Sequence, residues 1–359
     1  MRVLFFTLGT EVLASSRTRV HQYIPYLQKE GVVCTVHPAG LDRRLILSVQ
    51  GGPGWKLPLV QAWGRLEKAI RGALFFCRVP FYDVAFVQKI LLPIPFQKLL
   101  RVLNSRIIFD FDDAIYVPHQ VQRSFWPAET NRRWFEHMLS ISQWVVLENQ
   151  YTAAYARPFS KQILQITGPI EVHRYTPRSG VEPRDRIVLG WVGTPSNTIY
   201  LEILRETLER LGQQYPHVSL LLVGAASFHL ENMPVEIRPW SLVTEVTDLQ
   251  QFDIGLMPLP DDEWSRGKGG YKLLQYMAIG IPSIASPVGI VSEMIVEGEN
   301  GFLAITSEEW YEKLGCLIED PGLRARMGQK GRKVAEEQYS FEVAVPQLWA
   351  VLREVADVQ

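Results

Sequence analysis

Cysteine is scarce: Cys34, Cys77 and Cys316 are odd in number and far apart in 359 residues, a pattern that builds neither a disulfide framework nor a zinc cluster and suits a reducing cytoplasm. Net charge is nearly absent too. With 37 Lys and Arg against 38 Asp and Glu, the formal charge of -1 gives no overall attraction to nucleic acid. Long apolar runs are missing, since no uninterrupted stretch reaches the ~18 residues that a membrane-crossing helix needs. The opening run from Val3 to Leu8 is soon interrupted by Gly9 and Glu11, so it reads as a first buried strand and not as a signal peptide. What remains is the composition of a globular chain, 47% hydrophobic and 21% charged, and too long for one core to fill. Two domains are expected.

The order of patterns along the chain is that of an α/β protein. A strand at 3–7 leads through a loop into a helical spacing at 17–30, kinked by Pro25, and a second strand follows at 32–36. Strand, loop, helix and strand open a doubly wound domain, in which ligands sit at the carboxyl ends of the strands. Ser16, Arg17 and Arg19 are thereby brought towards a ligand site, the alternative being an ordinary surface helix start. The first domain is expected over 1–177, a linker rich in Gly, Pro and charge over 178–186, and the second domain over 178–341. There the strand 187–193 runs into Thr194, Ser196 and Asn197, and a helix is expected over 200–211. A last helix over 342–359 has an apolar face at Val343, Val345, Leu348 and Leu352.

Two stretches carry chemistry. RGKGGYKLLQYMAIG, residues 266–280, is a glycine-loosened basic loop followed by a helix over 271–279 that Gly280 and Pro282 stop. Helix N-termini offer unpaired N–H groups and the positive end of a dipole, and here they adjoin Arg266, Lys268 and Lys272. An anion, most naturally a diphosphate, suits such a place. RIIFDFDDAIY, residues 106–116, is a strand ending in Asp110, Asp112 and Asp113, and like charges this close need an answering cation or a donor-rich ligand. Three uses are open: an Asp-x-Asp metal site, a carboxylate pair holding the hydroxyls of an acceptor, or a strand end with a helix-capping acid.

The run KLLQYMA with Gly280, Pro282 and the following IAS, then Pro287-Val288-Gly289, Glu293 and GENGFL at 298–303, resembles the nucleotide-sugar site of GT-B glycosyltransferases, in particular retaining family 4. The resemblance implies an α/β GT-B fold: two Rossmann-like doubly wound domains facing a central cleft, with the C-terminal helix crossing back to the first domain. It implies transfer of a sugar from a nucleoside-diphosphate sugar, as co-substrate, to an acceptor hydroxyl with retention, without a metal or other cofactor, in a setting such as cytoplasmic polysaccharide or glycolipid synthesis at the inner face of the membrane. Donor contacts then fall to Gly193, Thr194, Ser196, Trp240, Arg266, Lys268, Gly269, Lys272 and Gln275, with Gln275 on the ribose and Trp240 either on the base or in the packing. Acceptor contacts fall to Ser16, Arg17, Arg19, Asp112 and Asp113, and the last two are the candidates for catalysis. The chain departs from the family in three places. Asp112 stands where a histidine is usual, the turn after Gly193 lacks cations, and Gly267 and Gln275 occupy the positions of a glutamate pair eight residues apart. Those departures keep open a non-catalytic GT-B scaffold, and a nucleotide-sugar epimerase shares the fold.

Residues 51–106 are basic and aromatic. Lys56, Arg65, Lys68, Arg71, Arg78, Lys89, Lys98, Arg101 and Arg106 are interleaved with Trp55, Trp63, Phe75, Phe76, Phe81 and Tyr82. Either a peripheral contact with an anionic membrane or packed helices with solvated cations would use that mixture. No motif accompanies it that would favour nucleic acid.

Overall fold

The computed structural model describes residues 1–41, 57–118, 126–178 and 186–357, with the side chains of 57–62 and 65 left aside. Trp55, Lys56, the side chain of Arg65 and nearly all of the expected linker lie outside the described residues. The chain folds as two compact units. The first comprises Met1–Pro169, Gly267–Gly269 and Phe341–Gln359, and the second Ile170–Arg266 and Gly270–Ser340.

In the first unit six parallel strands follow one another as β1 (Arg2–Thr7), β2 (Val33–Pro38), β3 (Val84–Gln88), β4 (Ile107–Asp110), β5 (Trp144–Leu147) and β6 (Ile163–Gln165). They lie in the order β2-β1-β3-β4-β5-β6, with Val3 opposite both Cys34 and Val84. Central strands read as unbroken apolar runs because helices cover both faces. One face carries Phe6, Phe75, Phe109, Phe111 and Phe135. The other carries Val3, Phe5, Phe86 and Ile108 against the Phe341–Asp357 helix, whose Phe341 ring stacks on Tyr26 with centroids 5.2 Å apart. The helix at the end of the chain thus belongs to the first unit's core.

The second unit repeats the plan with β7 (Ile187–Val192), β8 (Val218–Val223), β9 (Val235–Arg238), β10 (Ile254–Met257), β11 (Ser283–Ala285) and β12 (Phe302–Leu303), in the order β12-β11-β10-β7-β8-β9. In each sheet the order reverses once, between β1 and β3 and between β7 and β10. A crevice at the carboxyl ends of such neighbours is where open α/β sheets take ligands.

Two helical expectations are corrected. The single kinked helix at 17–30 is instead a helix at Ala14–Arg19, a short 3-10 turn at His21–Tyr23 and a second helix at Ile24–Lys29. Proline lacks the N–H that a helix interior requires, so Pro25 begins a helix here. The expected helix at 200–211 is a 3-10 stretch over Pro195–Leu204 followed by a helix over Arg205–Gln214.

Candidate functional site

At the strand ends of the first unit, Gln88 closes β3 and stitches down the loop after β1. Its Oε1 accepts from Leu8 N at 3.1 Å and from Ser16 Oγ at 3.0 Å, while its Nε2 donates to Ser15 Oγ at 2.8 Å. Ser16 is consequently buried, and Arg17, also buried, donates to the carbonyl of Glu11 at 3.2 Å. Neither Arg17 nor Arg19 is a surface helix start. Arg19 is 2% exposed and spreads its guanidinium over Asp110, at 2.5 Å from Nη2, and over the carbonyls of Ile166 and Gly168 at 2.8 and 3.1 Å; Glu148 lies 3.5 Å away.

That network answers one of the three acids, and Lys89 answers the others. Its Nζ lies 2.7 Å from Asp112 and 2.9 Å from Asp113. Lys89 and Asp113 both have φ of 57°, a left-handed conformation that non-glycine residues adopt at a cost of about 1–3 kcal/mol. Strain at both members of one ion pair marks this strand end as a place whose geometry the surrounding fold over-determines. Burial works against the charges on Arg19 and Lys89, but the adjoining carboxylates outweigh it and hold both cations firmly protonated. For Asp110 and Glu148 burial wins. Asp110 is pushed up to about 6 despite Arg19, and Glu148 to about 8 by burial and the like charges of Asp112, Asp113 and Asp110.

The segment Gly267–Gly269 packs on these strand ends. A Cβ at 267 would lie 2.5 Å from that of Ala114 and 2.6 Å from its backbone N, so this position requires glycine, and one at 269 would lie 1.6 Å from Glu148 Oε2 and displace that carboxylate. The glutamate that the resemblance puts at 267 has no room for its first side-chain atom. Asn149 fixes the segment: its Nδ2 donates to the carbonyl of Lys268 at 3.1 Å, and its Oδ1 caps the Gln150–Ala156 helix through Thr152 N at 2.9 Å.

In the second unit the ends of β7, β8 and β9 and the Tyr271–Ala278 helix converge. A Cβ on Gly224, whose φ is +76°, would meet Gly193 O at 2.3 Å and Trp240 Cβ at 3.0 Å. Gly193 in turn lies flat against Trp191, and Lys272 rests its ammonium 4.1 Å from the centroid of that indole. The turn after Gly193 thereby gains a cation from a helix more than seventy residues downstream. Thr194 and Ser196 pair their hydroxyls at 3.1 Å, exposed. Gly270, left-handed at φ 70°, opens the helix beside Lys272, while Arg266 is forked onto Asp261 at 2.6 and 3.0 Å.

Gln275 is buried, with its Nε2 donating to Glu245 Oε1 at 3.1 Å and lying 3.4 Å from Tyr175 Oη. The same carboxylate accepts from Trp240 Nε1 at 3.0 Å and from Tyr175 Oη at 2.6 Å, with Arg174 at 3.4 Å. Trp240 is therefore anchored at its nitrogen, its ring half-buried against the core. Burial, with Tyr271 and Glu245 nearby, holds the Tyr175 phenol well above its ordinary range.

Sequence reasoning missed Lys89, Glu148, Asn149, Tyr175, Trp191 and Glu245. Glu148 and Asn149 had a signal, since they follow β5 as Asp110 ends β4, at the edge where ligands bind. Glu245 had none, because its partners come from three separate stretches of chain.

Residues 186–320 match the family Glycosyl transferases group 1. Over 142 residues the chain is 25% identical to N-acetyl-alpha-D-glucosaminyl L-malate synthase of Bacillus anthracis, a match covering 39% of this chain and 35% of that relative's length. Among solved structures, sucrose-phosphate synthase from Thermosynechococcus elongatus superposes with a TM-score of 0.69 at 17% identity, covering 99% of each chain. HepE of Anabaena, solved in complex with UDP and glucose, gives 0.72 at 17% identity over 98% of this chain and 99% of its own. The chain therefore has the fold of GT-B glycosyltransferases, and the match to Glycosyl transferases group 1 lies within its second unit.

Proposed function

We propose that the chain moves a sugar from a nucleoside-diphosphate sugar to a hydroxyl of a carbohydrate or glycolipid acceptor, with retention of configuration and no required metal. The observation that carries this proposal lies in the second unit, where Lys272 sits on Trp191 against the Gly193 turn while Gly224, Trp240 and Gln275 line the adjoining strand ends. Glycines let a diphosphate approach the backbone, and the N–H groups at the start of the Tyr271–Ala278 helix supply donors. Lys272, with Arg266 and Lys268, stabilises charge that grows on the leaving diphosphate. Gln275 and Trp240 take the nucleoside; Thr194, Ser196 and Gly269 complete the donor contacts. In the first unit Asp112 and Asp113, held by Lys89, accept from acceptor hydroxyls, and Ser16, Arg17 and Arg19 shape that pocket from behind. Synthesis of polysaccharide or glycolipid at the cytoplasmic face of a membrane is the setting that such an acceptor suits.

A competing proposal is a non-catalytic scaffold on the same fold, favoured by the exclusion of any side chain at Gly267. Release of nucleoside diphosphate from a panel of donors, with and without acceptors, separates the two: turnover supports a transferase, and binding without turnover supports the scaffold. In a thermal-shift screen the cognate nucleotide sugar is expected to raise the melting temperature, and Lys268→Ala to abolish that rise. An unchanged rise removes Lys268 from the site.

A further inference from the structure

Half of the exposed large hydrophobic side chains among the described residues fall between residues 63 and 102, far more than scattered surface residues would place there. On the Leu57–Arg78 helix they are Trp63, Leu66, Ile70 and Leu74, spaced by three and four residues and so on one face. That spacing normally marks the side a helix buries. Here the inward contact is made by Phe75, fully buried and stacked on Phe6 at 4.1 Å, while Trp63 stays 58% exposed. Exposed Ala73 and Cys77 extend the outward stripe, and at about 100° per residue the charged Glu67, Arg71 and Arg78 fall together to one side of it.

The stripe does not end with the helix. Phe81, in the turn that follows, is 66% exposed, and Phe76 contacts Phe96 with centroids 5.9 Å apart, which brings the Ile94–Leu103 helix alongside. This second helix buries Gln97 and Leu100 and turns Phe96, Leu99 and Val102 outward, the last 82% exposed. Arg78, Lys98 and Arg101 are exposed around these side chains, and among the described residues none of the three is in a salt bridge. Contiguous apolar surface of this kind marks an interaction site, and a cationic surround selects an anionic partner.

We propose that this face docks on the surface of an anionic lipid bilayer, its apolar side chains reaching the boundary between headgroups and acyl chains and its three cations meeting anionic headgroups. The contact is interfacial, for no helix among the described residues is long and apolar enough to cross a membrane. It goes beyond the transfer reaction, and its test needs no turnover.

The full chain is floated with vesicles of phosphatidylcholine alone and with vesicles containing one third phosphatidylglycerol. Binding is expected on the anionic vesicles, falling steeply between low and high salt. Ile70→Glu with Leu74→Glu is expected to lower partitioning by more than tenfold. Lys98→Ala with Arg101→Ala should lower it about fivefold per cation removed, and Ile305→Glu, at an exposed position of the second unit, should leave it unchanged. All four positions of the two test pairs are exposed, so the fold is retained. Equal partitioning onto neutral vesicles, no partitioning at all, or undiminished partitioning of the Ile70/Leu74 variant overturns the proposal. So does a concentration-dependent dimer that the same two glutamates dissolve, which would give this face to a second copy of the chain.

Discussion

Both units carry buried carboxylates near their candidate sites, and the fold answers them differently. In the first unit Asp110 and Glu148 share one guanidinium, that of Arg19, so two formal charges face a single opposite one. In the second unit Glu245 collects the hydroxyl of Tyr175, the indole N–H of Trp240 and the amide of Gln275, with the partly exposed Arg174 further off. Sharing a cation inside a protein leaves charge unbalanced and ties the cluster to stability and pH. Collecting neutral donors instead orients the groups that donate, and those groups line the proposed nucleoside site.

The largest effect expected from this contrast is that of Arg19→Met. It leaves two acids buried without their partner, and removal of one member of a buried charge network costs about 3–5 kcal/mol. Urea unfolding should show that loss, and adding Asp110→Asn and Glu148→Gln should recover much of it, since the remaining groups are then neutral. If the single variant unfolds like the wild type, the cluster is not what holds the first sheet's edge together.

A smaller effect follows from the same cluster's titration. Asp110 is raised from its ordinary 3.8 to about 6 and Glu148 from 4.5 to about 8, in both cases by burial before all else. A carboxyl whose folded value is raised binds its proton more tightly when folded. Its contribution is complete below the unfolded value and is lost as pH climbs through the folded one. Between pH 4.5 and 8 the wild type should therefore lose stability faster than Glu148→Gln. Unfolding curves at pH 5, 6.5 and 8 check this, and parallel trends for the two proteins would show that Glu148 stays ionised throughout.

Much of the architecture was legible because it rests on local patterns: buried strands written as apolar runs, glycine and proline stops, and an apolar stripe on the last helix, whose place on the first sheet came from the family resemblance. The RGKGGYKLLQYMA stretch was legible for the same reason, its glycines and lysines lying side by side in sequence. Pairings across the fold were not. The acids at 110, 112 and 113 announced a need for cations, yet only the folded chain shows that Arg19 answers the first and Lys89 the other two. Lys272 was placed in the loop's charge by sequence, whereas its seat on Trp191 depends on a strand eighty residues away. Gln275 was read as a ribose contact from its position alone, and its buried amide now has to be reconciled with that role.

The reconciliation supplies the smallest of the expected effects. A carboxylate only accepts hydrogen bonds, so Glu245 must face the NH₂ end of the Gln275 amide, and the carbonyl end is then turned the other way. Gln275 presents an acceptor, and ribose hydroxyls are donors. Glu245→Gln removes the constraint, because a second amide can face either end of the first. Affinity for the cognate nucleoside diphosphate should fall about tenfold, or ~1.4 kcal/mol. General damage to the helix would weaken ribose and 2′-deoxyribose diphosphates alike, whereas a lost orientation should weaken the ribose form more and bring the two affinities together. Titration calorimetry with both nucleotides reads this ratio directly, and a ratio that stays at its wild-type value makes Glu245 a packing residue with no hand in recognition.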